Sequence, residues 1–461
     1  GGRRVESVRA IIAAMRDAVP EGRQHLDERE LGRLRELTHT LVTASAGADE
    51  EHARFLAIRE RGLAVPGPDL PPWLEGRSIL VTGGTGCVGS VLMSQLAACR
   101  PRRLVSVSRG LTPVGPRAAG AEYAQADIRD LPALGSVVAE VRPDVLFHVA
   151  AQRDPGLAER EVHPTVTTNV LGTRNVVSAA ERSGVPQVVY ASTGKALRPY
   201  SPEVYAASKR AAEWIMSAAA ARAGARTRYS AARFTHVVNN SLVYQRLLDW
   251  SAGGVIRLHG ADIFFYAQSA LESAQLLLGA GLGARAGSFQ VFAITNLGWP
   301  VSLLELALGV LRRTGSAAPL YFSGYEPGYE GVPFPGLYDP HTAGEVSPLL
   351  SAFEAERSRK AMCGMADAFP LEMAPDPELD KRLLALEEAC ELTREPVAIR
   401  AALEALSWPM LGATLRMVPA RVLGRAAAIA APSRSGLNAQ QRQMLAAIER
   451  HIGRPGPGAT A

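Results

Sequence analysis

A chain of 461 residues, 47% hydrophobic and 21% charged, can bury one large α/β domain with additions, or two to three domains. Its net charge of +5 is scattered, and no basic run carries interleaved aromatics, which argues against nucleic acid as a partner. No apolar run reaches a membrane-spanning length, no signal-peptide pattern leads the chain, and Cys87, Cys99, Cys363 and Cys390 have neither metal-ligand nor disulfide spacing, so a cytoplasmic protein with reduced thiols, no metal and no membrane contact is expected.

Residues 3 to about 62 are rich in Arg, Glu and Leu at helical spacing, which predicts two or three amphipathic helices. The Pro-rich segment 65–73 ends them as a linker. A short apolar strand, Ile79 to Val81, then runs into a T-G-x-x-G-x-x-G turn and a helix. Gly83, Gly86 and Gly89, with Thr85, Cys87 and Val88 between them, fit a dinucleotide site. Glycine lets the backbone turn and approach a pyrophosphate, and the helix end offers free N–H donors. The second strand (102–110) ends in Ser108-Arg109, where sites selective for NAD usually carry an acid for the ribose 2′-OH. An Arg there suits a 2′-phosphate, so NADP(H) is favoured over NAD(H). Asp127, after a third strand, either accepts from an adenine amino group or caps a helix. The fourth strand, 144–151, is continuously apolar and ends in Ala150-Ala151, small enough for a nicotinamide ribose to pass.

The next strand, 187–192, delivers Ser192 and Thr193 to a stretch that holds Lys195, Tyr205 and Lys209. If the residues after Tyr205 are helical, Tyr205 and Lys209 share one face. A phenol near pKa 10 is a poor acid or base at neutral pH, and a neighbouring cation favours its phenolate. Only four of the 50 basic residues are lysine, namely Lys195, Lys209, Lys360 and Lys381, and two of them fall here. A compact ammonium in an Arg-rich chain points to a tuned site rather than to a generic surface charge. With a hydroxyl at the strand end to hold the substrate oxygen, these are the groups that move a proton while a nicotinamide moves a hydride.

Strands and helices alternate throughout, which predicts an α/β fold with a doubly wound parallel (Rossmann) sheet. The segments TGGTGCVG, ADIRD, HVAA, TNVLGT and YAASK together resemble the extended short-chain dehydrogenase/reductase family. HVAAQRDPGLAE, TNVLGTRNV, STGKALRP and ASKRAAE are similar to the inverting nucleotide-sugar 4,6-dehydratases of polysaccharide biosynthesis, over roughly residues 76 to 330. The resemblance implies that Gly83, Gly86 and Gly89 bind pyrophosphate, Ser108 and Arg109 the 2′-phosphate, and Asp127 and Ile128 the adenine. It implies that Tyr205 and Lys209 handle the proton and the nicotinamide ribose and that Thr193 orients the sugar. Lys195 matches the dehydratase lysine, and Asn169 the Asn of the helix beside the site.

Several positions depart from the dehydratase pattern. Gly194 stands where those enzymes have an Asp, in T-D-K, which removes the acid expected for elimination. Asp154 and Glu203 are the carboxyls left to supply one from another direction. Arg153-Asp154 replaces Lys-His, His236 replaces an Asn, and Glu326 takes an Arg position. Ser269 to Glu272 and Ser302 to Glu305 read as capping boxes, and Phe264-Phe265-Tyr266 as part of a substrate lobe. His52, His341 and His451 read as surface residues. After 332, helical periodicity over 376–406 and 437–453 leads into a disordered tail. The domains expected are 1–75 as a helical extension and linker, 76–331 as the dinucleotide-binding and substrate domain, and 332–461 as a mainly helical extension.

The expected function is NADP(H)-dependent oxidation or reduction of a secondary alcohol on a nucleotide-linked sugar or related polyol, in a homo-oligomer. A ketoreductase acting on a non-sugar metabolite is the alternative. A non-catalytic dinucleotide-binding protein is a third class, disfavoured because binding alone does not require the phenol.

Overall fold

The computed structural model describes residues 2–63, 70–325, 346–430 and 438–452. The linker 64–69, Glu326, His341 and the tail from 453 lie outside the described residues. The chain forms two units, one of residues 1–61, 236–270 and 297–333, the other of residues 62–235, 271–296 and 334–461.

The larger unit is built on a nine-stranded sheet. Its strands are β1 (Ser78–Thr82), β2 (Arg103–Ser108), β3 (Glu122–Gln125), β4 (Val145–His148), β5 (Gln187–Thr193), β6 (Arg228–Phe234), β7 (Gln290–Ile294), β8 (Arg359–Ala361) and β9 (Ala366–Pro370). They run in the order β8-β9-β7-β6-β5-β4-β1-β2-β3. Strands β1 to β7 pair in parallel, so the central ones are buried on both faces and read as continuous apolar runs rather than alternating ones. The order reverses between β1 and β4, and ligands of open α/β sheets bind outside the carboxyl ends of the strands at such a switch. This is the expected doubly wound sheet. The periodicity after 332 indicates helices alone, yet that region also adds β8 and β9, which pair antiparallel beyond β7.

Six helices of this unit matter for the site: α1 (Cys87–Ala98), α2 (Leu131–Val141), α3 (Gly172–Arg182), α4 (Val204–Ala221), α5 (Pro377–Leu392) and α6 (Pro396–Leu415). Helix α4 is buried along nearly its whole length, including Lys209, Arg210 and Glu213. Part of its cover comes from α6, where Thr414 accepts from Arg210 Nη2 at 3.1 Å.

In the smaller unit, helices Glu28–Ala44 and Ala48–Ala57 share a core with helix Leu303–Thr314 and the parallel pair Ile256–Leu258 and Leu320–Phe322. The N-terminal helices are therefore part of that lobe's core. Of the expected capping box at Ser302, half forms: Ser302 Oγ accepts from Glu305 N at 3.3 Å. The Glu305 carboxylate instead takes the Ser45 hydroxyl, and Glu51 accepts from Ser302 N at 2.6 Å. His52 is buried rather than at the surface, with Nε2 2.9 Å from Tyr244 Oη. His236 is 2.6 Å from Ser241 Oγ, and its ring lies edge-on to Phe265. Phe264, by contrast, is partly exposed, at 43%.

Candidate active site

The glycine turn leaves β1 at Gly83, whose φ of +75° is open to glycine but strained for other residues. A Cβ there would stand 2.7 Å from Ala150 N, and one on Gly89 would stand 2.1 Å from Gly83 O. Both contacts are with backbone, which cannot swing aside. The cradle at the ends of β1 and β4 thus requires glycine, and its donors are the first N–H groups of α1, which opens at Cys87. Thr85 O accepts from Val114 N at 2.9 Å, which ties the turn to the loop after β2. Ala150 and Ala151 sit at the end of β4, partly open. A dinucleotide fits a cradle of this kind, in which small residues adjoin a helix start whose first N–H groups have no partner within the helix.

Ser108 closes β2, buried, and Arg109 follows it, exposed. Asp127 meets Arg129 through both carboxylate oxygens, at 3.1 Å and 2.6 Å; burial pushes its carboxyl up, and the Arg129 contacts outweigh this and hold it below the usual range. The cap of α2 is Asp130, which accepts from Ala133 N at 2.9 Å, so Asp127 is not the helix cap. Ile128 is buried against the bare face of Gly172, where a Cβ would come within 2.8 Å of it.

Asn169 lies in a π-turn over Thr167–Leu171, a distortion often found at functional sites. Its side chain is engaged inside the protein: Oδ1 accepts from Gln152 N at 2.9 Å, and Nδ2 donates to Gln152 O at 3.0 Å and Ser208 Oγ at 3.1 Å. It fixes the segment after β4 to α4.

At the end of β5 the alternation of a strand separates the two hydroxyls. Ser192 Oγ turns inward and donates to Glu213 Oε1 at 2.7 Å. Thr193 Oγ1 accepts from Lys195 N at 3.3 Å and lies near enough to the Tyr205 phenol to influence it. Burial pushes that phenol up, while the Thr193 contact and the Arg153 charge pull it back. Lys209 shares a helix face with Tyr205, but its ammonium donates to Ala191 O at 2.7 Å and lies 4.2 Å from the centre of the Tyr190 ring. Burial drives Lys209 down to about 7, against the raising effect of Glu213. The cation acting on the phenol in this arrangement is Arg153, a position the Tyr/Lys spacing does not indicate.

Beneath these groups lies a buried charge cluster. Arg233 on β6 pairs with Glu213 at 2.8 Å and with Glu354 at 2.8 Å, and Arg210 lies 3.5 Å from each acid. His148, fully buried, has Nδ1 2.8 Å from Thr82 Oγ1 and Nε2 3.0 Å from Thr173 Oγ1. Burial and the charge of Lys209 hold it near 3, so the imidazole is neutral. The first turn of α4 is capped from elsewhere: Glu159 Oε1 accepts from Val204 N at 2.8 Å and also pairs with Arg400 of α6. None of these partners is signalled by motif spacing, except that Glu213 falls one helical turn after Lys209.

The departures have structural counterparts. Gly194 opens a short 3₁₀ turn, and a Cβ on it would lie 2.7 Å from Leu349 Cδ2, so the C-terminal region fills that volume. Asp154 caps the helix Pro155–Arg160, accepting from Gly156 N at 2.9 Å. Glu203 is buried and accepts from Lys195 Nζ at 3.2 Å. Among the described residues, no group of His, Cys, Asp and Glu is arranged to hold a metal, and no helix is long and apolar enough to cross a membrane.

Residues 79–329 match the family model described as polysaccharide biosynthesis protein. The chain is 26% identical over 272 residues to the probable polysaccharide biosynthesis protein EpsC of Bacillus subtilis, an alignment covering 55% of this chain and 44% of that protein. It therefore spans under half the length of that relative. It is 30% identical over 173 residues to a UDP-N-acetylglucosamine 4,6-dehydratase (inverting) of Campylobacter jejuni, covering 36% of this chain and 51% of that one. The crystal structure of Pen from Bacillus thuringiensis superimposes with a TM-score of 0.53 at 20% identity, over 64% of this chain and 89% of that one, a likeness of fold. With more than half of its length matched by the family model, on a sheet whose switch point carries the glycine cradle, this chain belongs to the polysaccharide biosynthesis protein family.

Proposed function

We propose that the protein is an NADP(H)-dependent enzyme that oxidises or reduces a secondary alcohol of a nucleotide-linked sugar or related polyol. The observation that carries this is Thr193 at the end of β5 and Tyr205 in the first turn of α4, with buried Lys209 one turn further, at the sheet edge that also bears the glycine cradle. A bound nicotinamide would supply or accept the hydride. Gly83, Gly86 and Gly89, with Thr85, Cys87 and Val88, would hold the pyrophosphate, and Asp127, Ile128, Ala150 and Ala151 would line the path of the rest. The exposed Arg109 after β2 supports a 2′-phosphate and so NADP(H). Thr193 would orient the substrate oxygen and Tyr205 exchange its proton. A nucleotide sugar as substrate is supported by the named activity of the Campylobacter relative. With no carboxylate at 194 and Leu349 in that space, chemistry that forms a ketone and then returns it is favoured over elimination. A cytoplasmic setting agrees with four cysteines that form no disulfide.

Tyr205→Phe tests this. Losing the proton-transfer group is expected to slow turnover roughly 10²- to 10⁴-fold while NADPH affinity, measured by fluorescence titration, stays within about two-fold. Normal turnover in this variant would overturn the catalytic assignment.

A further inference from the structure

Glu203 sits at the foot of α4, two residues before Tyr205, with 7% of its surface exposed. A residue at that place ordinarily caps its helix, but Glu203 makes no side-chain cap bond, while the Val204 N–H donates to Glu159. Its Oε2 accepts from Lys195 Nζ at 3.2 Å and from Arg198 Nη1 at 3.0 Å. Arg198 Nη1 also donates to Ser201 Oγ at 3.2 Å, and the same hydroxyl accepts from Glu203 N at 3.2 Å, so the carboxylate is braced on its own loop. Lys195 in turn leaves the turn capped by Thr193, and its side chain is 28% exposed. Its chain neighbour offers no carboxyl, since residue 194 is glycine and Leu349 lies where a side chain would go.

We propose that Glu203 is the positioning residue of this edge: it holds the Lys195 ammonium over the turn that Thr193 caps, facing an electron-rich oxygen of the bound sugar. The carboxylate–lysine pair thus comes from the foot of α4 rather than from adjacent residues of one turn. Because Glu203 and Tyr205 share that helix start, the ammonium and the phenol are set by one rigid element. The sugar in this statement rests on the function proposed above; the pairing does not.

The small number of lysines makes the test direct. Reductive ¹³C-methylation of the full chain gives few dimethyl-lysine signals, each assignable by a single Lys→Arg change. In Glu203→Gln the Lys195 signal is expected to titrate about one pH unit lower than in the unmodified protein, with Glu203→Asp in between. Lys381, 76% exposed and far along the chain, serves as the unmoved reference. An unchanged Lys195 titration overturns the proposal, and Glu203→Asp carries the same comparison if Glu203→Gln does not fold. With NADP(H) and UDP-N-acetylglucosamine as the probe, Glu203→Gln is expected to lower kcat roughly 10- to 100-fold with little change in KM. A shifted titration with unchanged kcat in an active enzyme overturns the positioning role. A shifted titration with no turnover even by the unmodified protein counts against the nucleotide-sugar reading and upholds the Glu203–Lys195 pairing.

Discussion

At the end of β1 the backbone makes the site, whereas at the end of β5 buried charges make it. Around Gly83 and Gly89 the constraint is steric: any side chain would strike main-chain atoms of the same turn or of the segment just after β4. Around Thr193, Tyr205 and Lys209 the constraint is electrostatic, with Glu213, Arg233, Glu354 and Arg210 packed below and Glu159, Arg400 and Glu203 at the foot of α4. The first kind of site depends on residues adjacent in the chain. The second depends on acids and bases as far apart in the chain as Glu159 and Arg400, 241 residues. An error in the first spoils ligand approach, while an error in the second strands a charge in a low-dielectric interior.

The contrast can be broken most forcefully at Glu213. Glu213→Gln leaves Arg233 with only part of its counter-charge in a fully buried position, and removing one member of such a pair costs about 3–5 kcal/mol. Urea denaturation at pH 7 should show a loss of that size; a change under about 1 kcal/mol would mean the cluster is not a determinant of stability.

A smaller effect is expected at Lys209, and it depends on pH. The folded lysine is depressed from 10.5 to about 7, chiefly by burial. Below pH 7 it is charged in both states, and the cost of burying that charge is complete. As pH rises from 7 toward 10.5 the unfolded chain holds a proton that the folded one lacks, so stability from this group rises with pH. Lys209→Met removes the titration. Its stability relative to the unmodified protein should therefore be greatest near pH 6 and fall by roughly 2–3 kcal/mol by pH 9. Thermal denaturation at the two pH values checks this, and a constant difference would place the Lys209 titration elsewhere.

The cradle side should respond in binding alone. Arg109 is exposed and supports no core, so Arg109→Ala should leave the melting temperature within a degree or two. Loss of a charge-assisted contact to a 2′-phosphate costs about 1.5–3 kcal/mol, or roughly 10- to 150-fold in NADPH affinity, with NADH unaffected. Equal titration of the unmodified protein by both cofactors would refute the role of Arg109.

The amino-acid sequence by itself determined the sheet and the cradle. Buried parallel strands must be apolar throughout, and a strand that turns into a helix around a phosphate must carry glycine at set intervals, so Ile79 to Gly89 could be read directly. It also placed Tyr205 and Lys209 on one helix face, because helical spacing is fixed by the backbone. Only the tertiary structure decided that Ser192 turns inward to Glu213, that Lys209 turns to Ala191, and that the charge of Arg153 pulls the Tyr205 phenol down. The same holds for the C-terminal region, whose helical periodicity is legible while its two short strands and the placing of Leu349 against Gly194 are not. The physical reason is common to all of these. Periodicity and turn chemistry are local, whereas the partner of a buried charge and the occupant of a glycine's empty volume are chosen by packing between distant segments.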